Sequence, residues 1–397
     1  MMKGKNRWLL PEGIEELLPE PAARLEQLRR ELLDLYRGWG YQLIIPPFID
    51  YLDSLLTGSG HDLDLQTFKL IDQMSGRLLG LRADMTPQAA RIDAHGLQRE
   101  APSRLCYLGT VLHTRPDGFA SSRSPMQVGA ELFGHAGAES DVEILQLMVE
   151  TLGLTGIEDV YIDLGHVGIY RGLAQDANLD AEQEAFLFDA LQRKAIPEIN
   201  EFLSALELST ALRERLASLA TLNGDRDVLN RARDLLVGSG DSVIAALENL
   251  EHIAELASRR LPDVTLHFDL AELRGYQYQT GVVFAAFVAD RGQEIARGGR
   301  YDDIGKVFGV ARPATGFSTD LRTLMELGKR QWPKQQGGIL APADDDAVLA
   351  ETITSLRAKG EIVVQQLPGQ TGNVAETGCD RVLQWDGSQW MVKSLGA

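Results

Sequence analysis

Cysteine is almost absent: Cys106 and Cys379 are the only two in 397 residues, and they are too far apart in sequence to suggest a disulfide framework or a cysteine-based metal site. A reducing, cytoplasmic setting is the expectation. Long apolar runs are missing as well. The opening MMKGKNRWLLPEG has no stretch for a signal peptide, and no later run approaches the ~20 residues of a membrane helix, so no membrane partner is expected. Positive charge is scarce, with 39 Lys and Arg against 57 Asp and Glu and a formal net charge of −18. That balance works against a broad nucleic-acid surface, which needs clustered basic side chains to displace counterions, although it leaves room for a local basic patch. The common catalytic signatures are missing too: no G-x-x-x-x-G-K-[ST], no G-x-G-x-x-G after a strand, no H-E-x-x-H. The seven histidines are scattered too widely for a local ligand cluster, so no metal and no cofactor are expected.

What is present is 44% hydrophobic residues, enough for a large core spread over two or three domains. From Arg24 to Tyr36, Leu25, Leu28, Leu32, Leu35 and Tyr36 recur at helical spacing until Gly38 and Gly40. The run YQLII then reads as a strand, ended by Pro46 and Pro47, which cannot donate to a sheet ladder and so place it at an edge or interface. To about residue 165, strand patterns alternate with helices such as one opening at Thr86 and Pro87. A helical insertion follows, about 170–262, with Val243, Leu247, Leu250, Ala254 and Ala257 on one face. Strand signals return at VTLHFDLAEL and GVVFAAFVA, GGRYDD supplies a glycine turn, and a helix is expected near Ser318. Residues 1–330 form the main body, 331–338 a linker, and 339–397 a small α/β unit.

The ordered fragments WGYQLIIPPFID, LRADMT, RLCYLG, QVGAELFG, LRGYQYQTG, GGRYD and TGFSTDL together resemble the class II aminoacyl-tRNA synthetase core in its histidyl form. The likeness runs from about residue 8 to 327, and LRGYQYQTG and GGRYD resemble elements particular to the histidyl branch. It implies an α+β fold, an antiparallel sheet flanked by helices, with the helical insertion in the family's place.

Against that pattern the nucleotide half of the site is eroded. The family's Phe-Arg-x-Glu stretch, whose arginine holds the α-phosphate of ATP, reads Leu112, His113, Thr114, Arg115, and a neutral imidazole does not replace a bidentate guanidinium. Arg115, two positions on, would point the same way on a strand but roughly 7 Å along. The phenylalanine under the adenine becomes Pro125, after Arg123 and Ser124, and base stacking on an aromatic is worth ~1–3 kcal/mol. The terminal Gly-Leu-Glu-Arg becomes Asp320, Leu321, Arg322, Thr323, which removes the γ-phosphate arginine and adds a carboxylate that repels a triphosphate. Two lost arginines at ~1.5–3 kcal/mol each plus one stack amount to ~4–9 kcal/mol, on the order of three to six decades in affinity. ATP activation is expected to be gone, leaving Arg115 and Arg123 as candidate anion contacts.

The amino-acid half is kept. By resemblance Asp84, Thr86, Gln127 and Glu131 stand where the family binds the ammonium and imidazole of histidine, and Arg274, Gly275 and Tyr278 belong to the histidyl loop, whose second tyrosine is Gln279. Structural readings compete with this. Thr86 before Pro87 is a good helix N-cap, and Asp84 would serve the same turn. Gly298 and Gly299 read as turn glycines with Arg300 and Tyr301 as buttresses, whereas Tyr276 and Tyr278 would alternate in a strand. Glu131 is different: a carboxylate in the apolar run GAELFG is costly to bury without a cationic partner such as a ligand ammonium.

Only about 60 residues follow the linker, against roughly a hundred in a synthetase anticodon-binding domain, so the terminal unit reads as a remnant and tRNA is not the expected partner. A synthetase core without ATP chemistry resembles the family of regulatory subunits of ATP phosphoribosyltransferase in histidine biosynthesis. That resemblance implies no catalytic residue in this chain, L-histidine as ligand, a homodimer across the first helix and strand within a hetero-octamer, and a short catalytic subunit as partner. It also implies that the chain is required for that subunit's activity and confers feedback inhibition. Two alternatives stand beside it: a divergent histidyl-tRNA synthetase or adenylate-forming ligase, and a free-standing histidine-binding module.

Overall fold

The computed structural model describes residues 9–56, 61–116, 122–273, 275–276, 278–289, 291–309, 311–332, 337–371 and 374–395. The chain divides into two units, Met1–Arg330 and Gln331–Ala397.

In the first unit the leading helix spans Pro19–Gly38, and Leu25, Leu28, Leu32 and Tyr36 are its buried stripe. β1 (Gln42–Leu43) follows, then β2 (Ile49–Tyr51), β3 (Lys69–Ile71) and β4 (Leu78–Leu81), the last three forming a small sheet in the order β2-β4-β3. The helix Thr86–Arg91 leads to β5 (Ser103–Thr110) and β6 (Met126–Phe133), and the helix Ala138–Leu154 to β7 (Val160–His166). Helices from Val167–Asp176 to Asp241–Arg260 make the insertion, interrupted by the two-residue β8 (Asn223–Gly224). β9 (Thr265–Asp269), β10 (Val282–Val288), β11 (Ala296–Arg300) and β12 (Ala314–Asp320) complete the large sheet, in the order β1-β5-β6-β12-β11-β10-β7-β9-β8.

The sheet is antiparallel through its centre, as expected, but β1 runs parallel to β5 and β7 parallel to β9, so it is mixed towards both edges. β1 is an edge strand shorter than the run YQLII promised. Two expectations near β11 and β12 are corrected. GGRYDD does not make a glycine turn: Gly298 and Gly299 lie inside β11, where a Cβ at Gly298 would collide with the Gly316 carbonyl and the Phe284 ring. The helix expected near Ser318 starts at Leu321, because Ser318 still pairs with Gly129 and Arg297.

Alternation along the strands divides the sheet's two faces. Val128, Ala130, Leu132 and Phe317 belong to the buried core. The Phe317 ring meets Tyr36 of the leading helix edge-on at 6.3 Å, and the Tyr36 hydroxyl accepts from Thr151 of the helix Ala138–Leu154 at 3.2 Å. Those helices therefore cover one face. Gln127, Gly129 and Glu131 of β6 and Gly316 and Ser318 of β12 fall on the other, which carries the site.

The second unit has β13 (Gly338–Ala341), a helix Ala347–Ala358, β14 (Val363–Gln365), β15 (Cys379–Trp385) and β16 (Trp390–Ser394), in the sheet order β14-β13-β15-β16. Gly338, assigned to the linker by sequence, already belongs to β13. The Asp346 carboxylate caps the helix by accepting from the Leu349 N–H at 3.0 Å, and Ile339, Ala341, Leu349, Ile353, Val363 and Leu383 make the core.

Candidate functional site

The site is built around Glu131. Its residue is 1% exposed, and its carboxylate accepts from Tyr107 at 2.8 Å, from Thr86 at 3.0 Å and from the Tyr301 hydroxyl. The sheet makes room for it with glycine: Gly316 pairs with Glu131 across β6 and β12, and a Cβ there would overlap the carboxylate. Burial pushes the Glu131 carboxyl up to about 8, against the pull of the Tyr301 and Tyr107 hydroxyls and with the Asp84 charge adding to the rise. Burial likewise holds the Tyr107 and Tyr301 phenols well above their ordinary range. Without a bound cation the stable form of Glu131 at neutral pH is therefore the protonated one, which lowers the cost of burying it.

Gln127, two repeats along the same face of β6, extends the network. Its carboxamide oxygen accepts from Met85 N–H at 2.9 Å and its nitrogen donates to Asp84 at 2.7 Å. Asp84 also accepts from the Thr86 N–H at 3.0 Å. Thr86 is thus not the N-cap: the Thr86–Arg91 helix begins with Thr86 already inside it, Asp84 serves its first turn, and the Thr86 hydroxyl is released to Glu131 and, at 3.1 Å, Tyr107. Arg82, buried, donates to the Thr110 carbonyl at 3.0 Å and the Pro46 carbonyl at 2.7 Å, which fixes the segment carrying Asp84 and Thr86.

Of the loop expected to contribute Arg274, Gly275 and Tyr278, Arg274 lies outside the described residues. Tyr276 and Tyr278 do not alternate in a strand; the segment is a turn begun by Gly275 at φ +69°, where a Cβ would strike the Tyr278 ring. Tyr276 turns to the insertion, donating to Glu184 and packing on Tyr170 at 5.3 Å, whereas Tyr278 is 41% exposed. Arg171 of the insertion donates to the Tyr276 and Gln279 carbonyls at 2.9 and 3.0 Å, holding the loop from behind.

At the positions where the resemblance places nucleotide contacts, His113, Arg123 and Asp320 are engaged within the chain. β5 ends at Thr110, so Leu112 to Arg115 are not strand and the two-residue argument for Arg115, which is exposed, does not hold. His113 Nε2 donates to the Ala83 carbonyl at 2.9 Å. Arg123 donates to the His113 and Glu12 carbonyls, both at 3.1 Å, and its guanidinium lies 5.3 Å from the Phe68 ring centre. The Asp320 carboxylate caps the helix Leu321–Leu327, accepting from Arg322 and Thr323 N–H at 3.2 and 3.3 Å and from Met126 N–H at 2.9 Å.

The structure thus brings Asp84, Thr86, Gln127 and Glu131 into one hydrogen-bonded network and sets Arg115 and Arg123 apart from it. It adds Tyr107 and Tyr301, which sequence reasoning missed. Strand alternation held the signal: Arg300 and its successor face opposite sides, Arg300 pairing with buried Asp141 at 3.0 Å on the helix side while Tyr301 turns to Glu131. Among the described residues, no group of three or more His, Cys, Asp or Glu is placed to hold a metal ion, and no helix is long and apolar enough to cross a membrane. The chemistry on offer is recognition of a small polar ligand by carboxylates, amides and hydroxyls.

Comparison with known proteins agrees with this architecture. Residues 13–324 match the histidyl-tRNA synthetase family model, and residues 336–393 the model of the ATP phosphoribosyltransferase subunit HisZ C-terminal domain. A histidyl-tRNA synthetase from Nostoc has the same fold, with TM-score 0.74 at 18% identity over 95% of this chain and 91% of that one. The first unit is therefore a histidyl-tRNA synthetase-like body. A Bacillus halodurans structure described as an ATP phosphoribosyltransferase regulatory subunit/histidyl-tRNA synthetase matches with TM-score 0.82 and 28% identity over 93% and 95% of the two chains. ATP phosphoribosyltransferase regulatory subunits from Thioalkalivibrio sulfidiphilus and Pseudomonas syringae are 61% and 56% identical over 99% of this chain, covering 100% and 99% of theirs. The chain belongs to the family of ATP phosphoribosyltransferase regulatory subunits.

Proposed function

We propose that this chain is a non-catalytic regulatory subunit of ATP phosphoribosyltransferase in histidine biosynthesis, and that its synthetase-like pocket binds L-histidine. One contrast carries the reading: the Asp84–Gln127–Glu131 network is intact while His113, Arg123 and Asp320, at nucleotide positions, are spent on backbone carbonyls and a helix cap. The ligand ammonium goes to Asp84, Thr86 and Gln127 and its side chain to the Glu131 end, with Arg274 and Tyr278 as the further ligand contacts. A cation arriving there favours the ionised carboxylates, which answers the cost of burying Glu131.

The partner is a short catalytic phosphoribosyltransferase subunit in the cytoplasm, and tRNA and membranes are not partners. This subunit activates the catalytic chain and transmits histidine inhibition to it. A homodimer forms across the leading helix and the β1 edge, within a hetero-octamer; apolar exposure around that edge supports it, with Ile45 83% and Leu43 44% exposed. The C-terminal unit is a reduced relative of an anticodon-binding domain.

Calorimetry tests the pocket. L-histidine is expected to bind more tightly than other amino acids, and Glu131→Ala to weaken it at least tenfold. Unchanged histidine affinity in that variant would place the ligand elsewhere.

A further inference from the structure

Edge strands in this chain are short, with one exception. Among the described residues, β1 and β8 at the ends of the large sheet have two residues each, and β2, β3 and β14 have three. β16, Trp390–Ser394, has five and ends the sheet of the second unit. It runs antiparallel to β15 in unbroken register, from Trp385 opposite Trp390 to Arg381 opposite Ser394. Proteins guard such an edge with proline, a bulge or several charges, and β16 has a single lysine, Lys393. Met391 and Val392 beside it are 42% and 38% exposed.

The hydrogen bonds at its two ends fix which backbone groups it offers. The Leu395 N–H donates to the Asp380 carbonyl at 2.9 Å, and the Asp386 N–H to the Gln389 carbonyl at 3.0 Å. In an antiparallel ladder, opposed residues alternate between exchanging both bonds and exchanging none. Met391 and Lys393 are therefore bonded to β15. The N–H and C=O groups of Trp390, Val392 and Ser394 point away from it, with no partner among the described residues.

That edge is complementary to itself. A twofold axis through Val392 sets Val392 against its own copy and Trp390 against Ser394, so every outward group gains a partner. Lys393 then falls opposite Met391, and no like charges meet. An axis through Lys393 would set two lysines face to face, and one through Met391 would leave Ser394 opposite the Asp386–Gln389 turn.

We propose that β16 is a docking edge for a second copy of this chain, the two pairing antiparallel about Val392 to join their C-terminal sheets into one. The pairing is independent of what the pocket binds.

The test is cross-linking of the full chain carrying Val392→Cys, with diamide as oxidant; the native Cys106 and Cys379 are buried. Backbones in a hydrogen-bonded pair lie ~5.5 Å apart, within reach of a disulfide, whether the two C-terminal units belong to one dimer or to two. Linkage is expected on the order of tenfold faster than with Gln384→Cys, an exposed position on β15, one strand in from the edge. Adding Met391→Lys, which sets a like charge against Lys393 of the second copy, is expected to slow the linkage, and Met391→Glu to speed it. Thermal unfolding of each variant checks its fold. Equal rates at positions 392 and 384, or a rate at 392 indifferent to both Met391 changes, would overturn the proposal. Loss of self-linkage on adding the short catalytic subunit would assign the edge to that partner and overturn it as well.

Discussion

Glu131 and Gly316 face each other across β6 and β12 with the carboxylate resting where a side chain at position 316 would begin. The glycine is there for space, not for its backbone angles. Gly316→Ala must push Glu131 off its three hydroxyl partners, so it is expected to cost about 1–3 kcal/mol of stability, as overpacking does. Histidine affinity should fall with it. Urea unfolding and calorimetry on the same preparation check both effects.

Glu131 also makes a pH-dependent contribution of known sign. Its carboxyl titrates at about 8 in the folded chain against an ordinary 4.5. Between those values the unfolded chain has released the proton and the folded one has kept it. Stability is therefore fully present below pH 4.5 and declines as pH rises, by up to ~5 kcal/mol by pH 8. Glu131→Gln removes this dependence, so relative to the wild type it is expected to gain about 3 kcal/mol between pH 5 and pH 8. Unfolding measured at both pH values, with no histidine present, isolates the difference because all other titrating groups are shared.

On the opposite face Arg300 and Asp141 form a buried pair. Burial raises the Asp141 carboxyl to about 6, with Arg300 as the leading opposing influence. Arg300→Met leaves a buried carboxylate without its cation and is expected to cost about 3–5 kcal/mol, whereas the double change with Asp141→Leu recovers much of that loss. A double-mutant cycle in urea measures the difference.

Much of this was legible in the sequence. The order of the fragments carried the fold, because each motif belongs to one element, and Glu131 declared itself as a carboxylate inside an apolar strand. What escaped was set by register between strands far apart in the chain. Tyr107 and Tyr301 meet Glu131 only because β5, β6, β12 and β11 are aligned in register, with Gly129 and Gly316 leaving room beneath them. The same pairing explains why GGRYDD misled: glycine defaults to a turn reading, but here cross-strand neighbours leave no room for a Cβ. Thr86 misled for a related reason, since its hydroxyl serves a residue 45 positions away and not its own helix.

The central claim is regulation without catalysis, and a steady-state phosphoribosyltransferase assay of the short catalytic subunit, run with and without this chain over a range of histidine concentrations, tests it most directly. The chain is expected to raise the activity and to make it more sensitive to histidine, with a coupling of ~1–3 kcal/mol, about five- to 150-fold in apparent affinity. Unchanged activity and an unchanged histidine response, with assembly verified by light scattering, would contradict the account and leave a histidine-binding module alone.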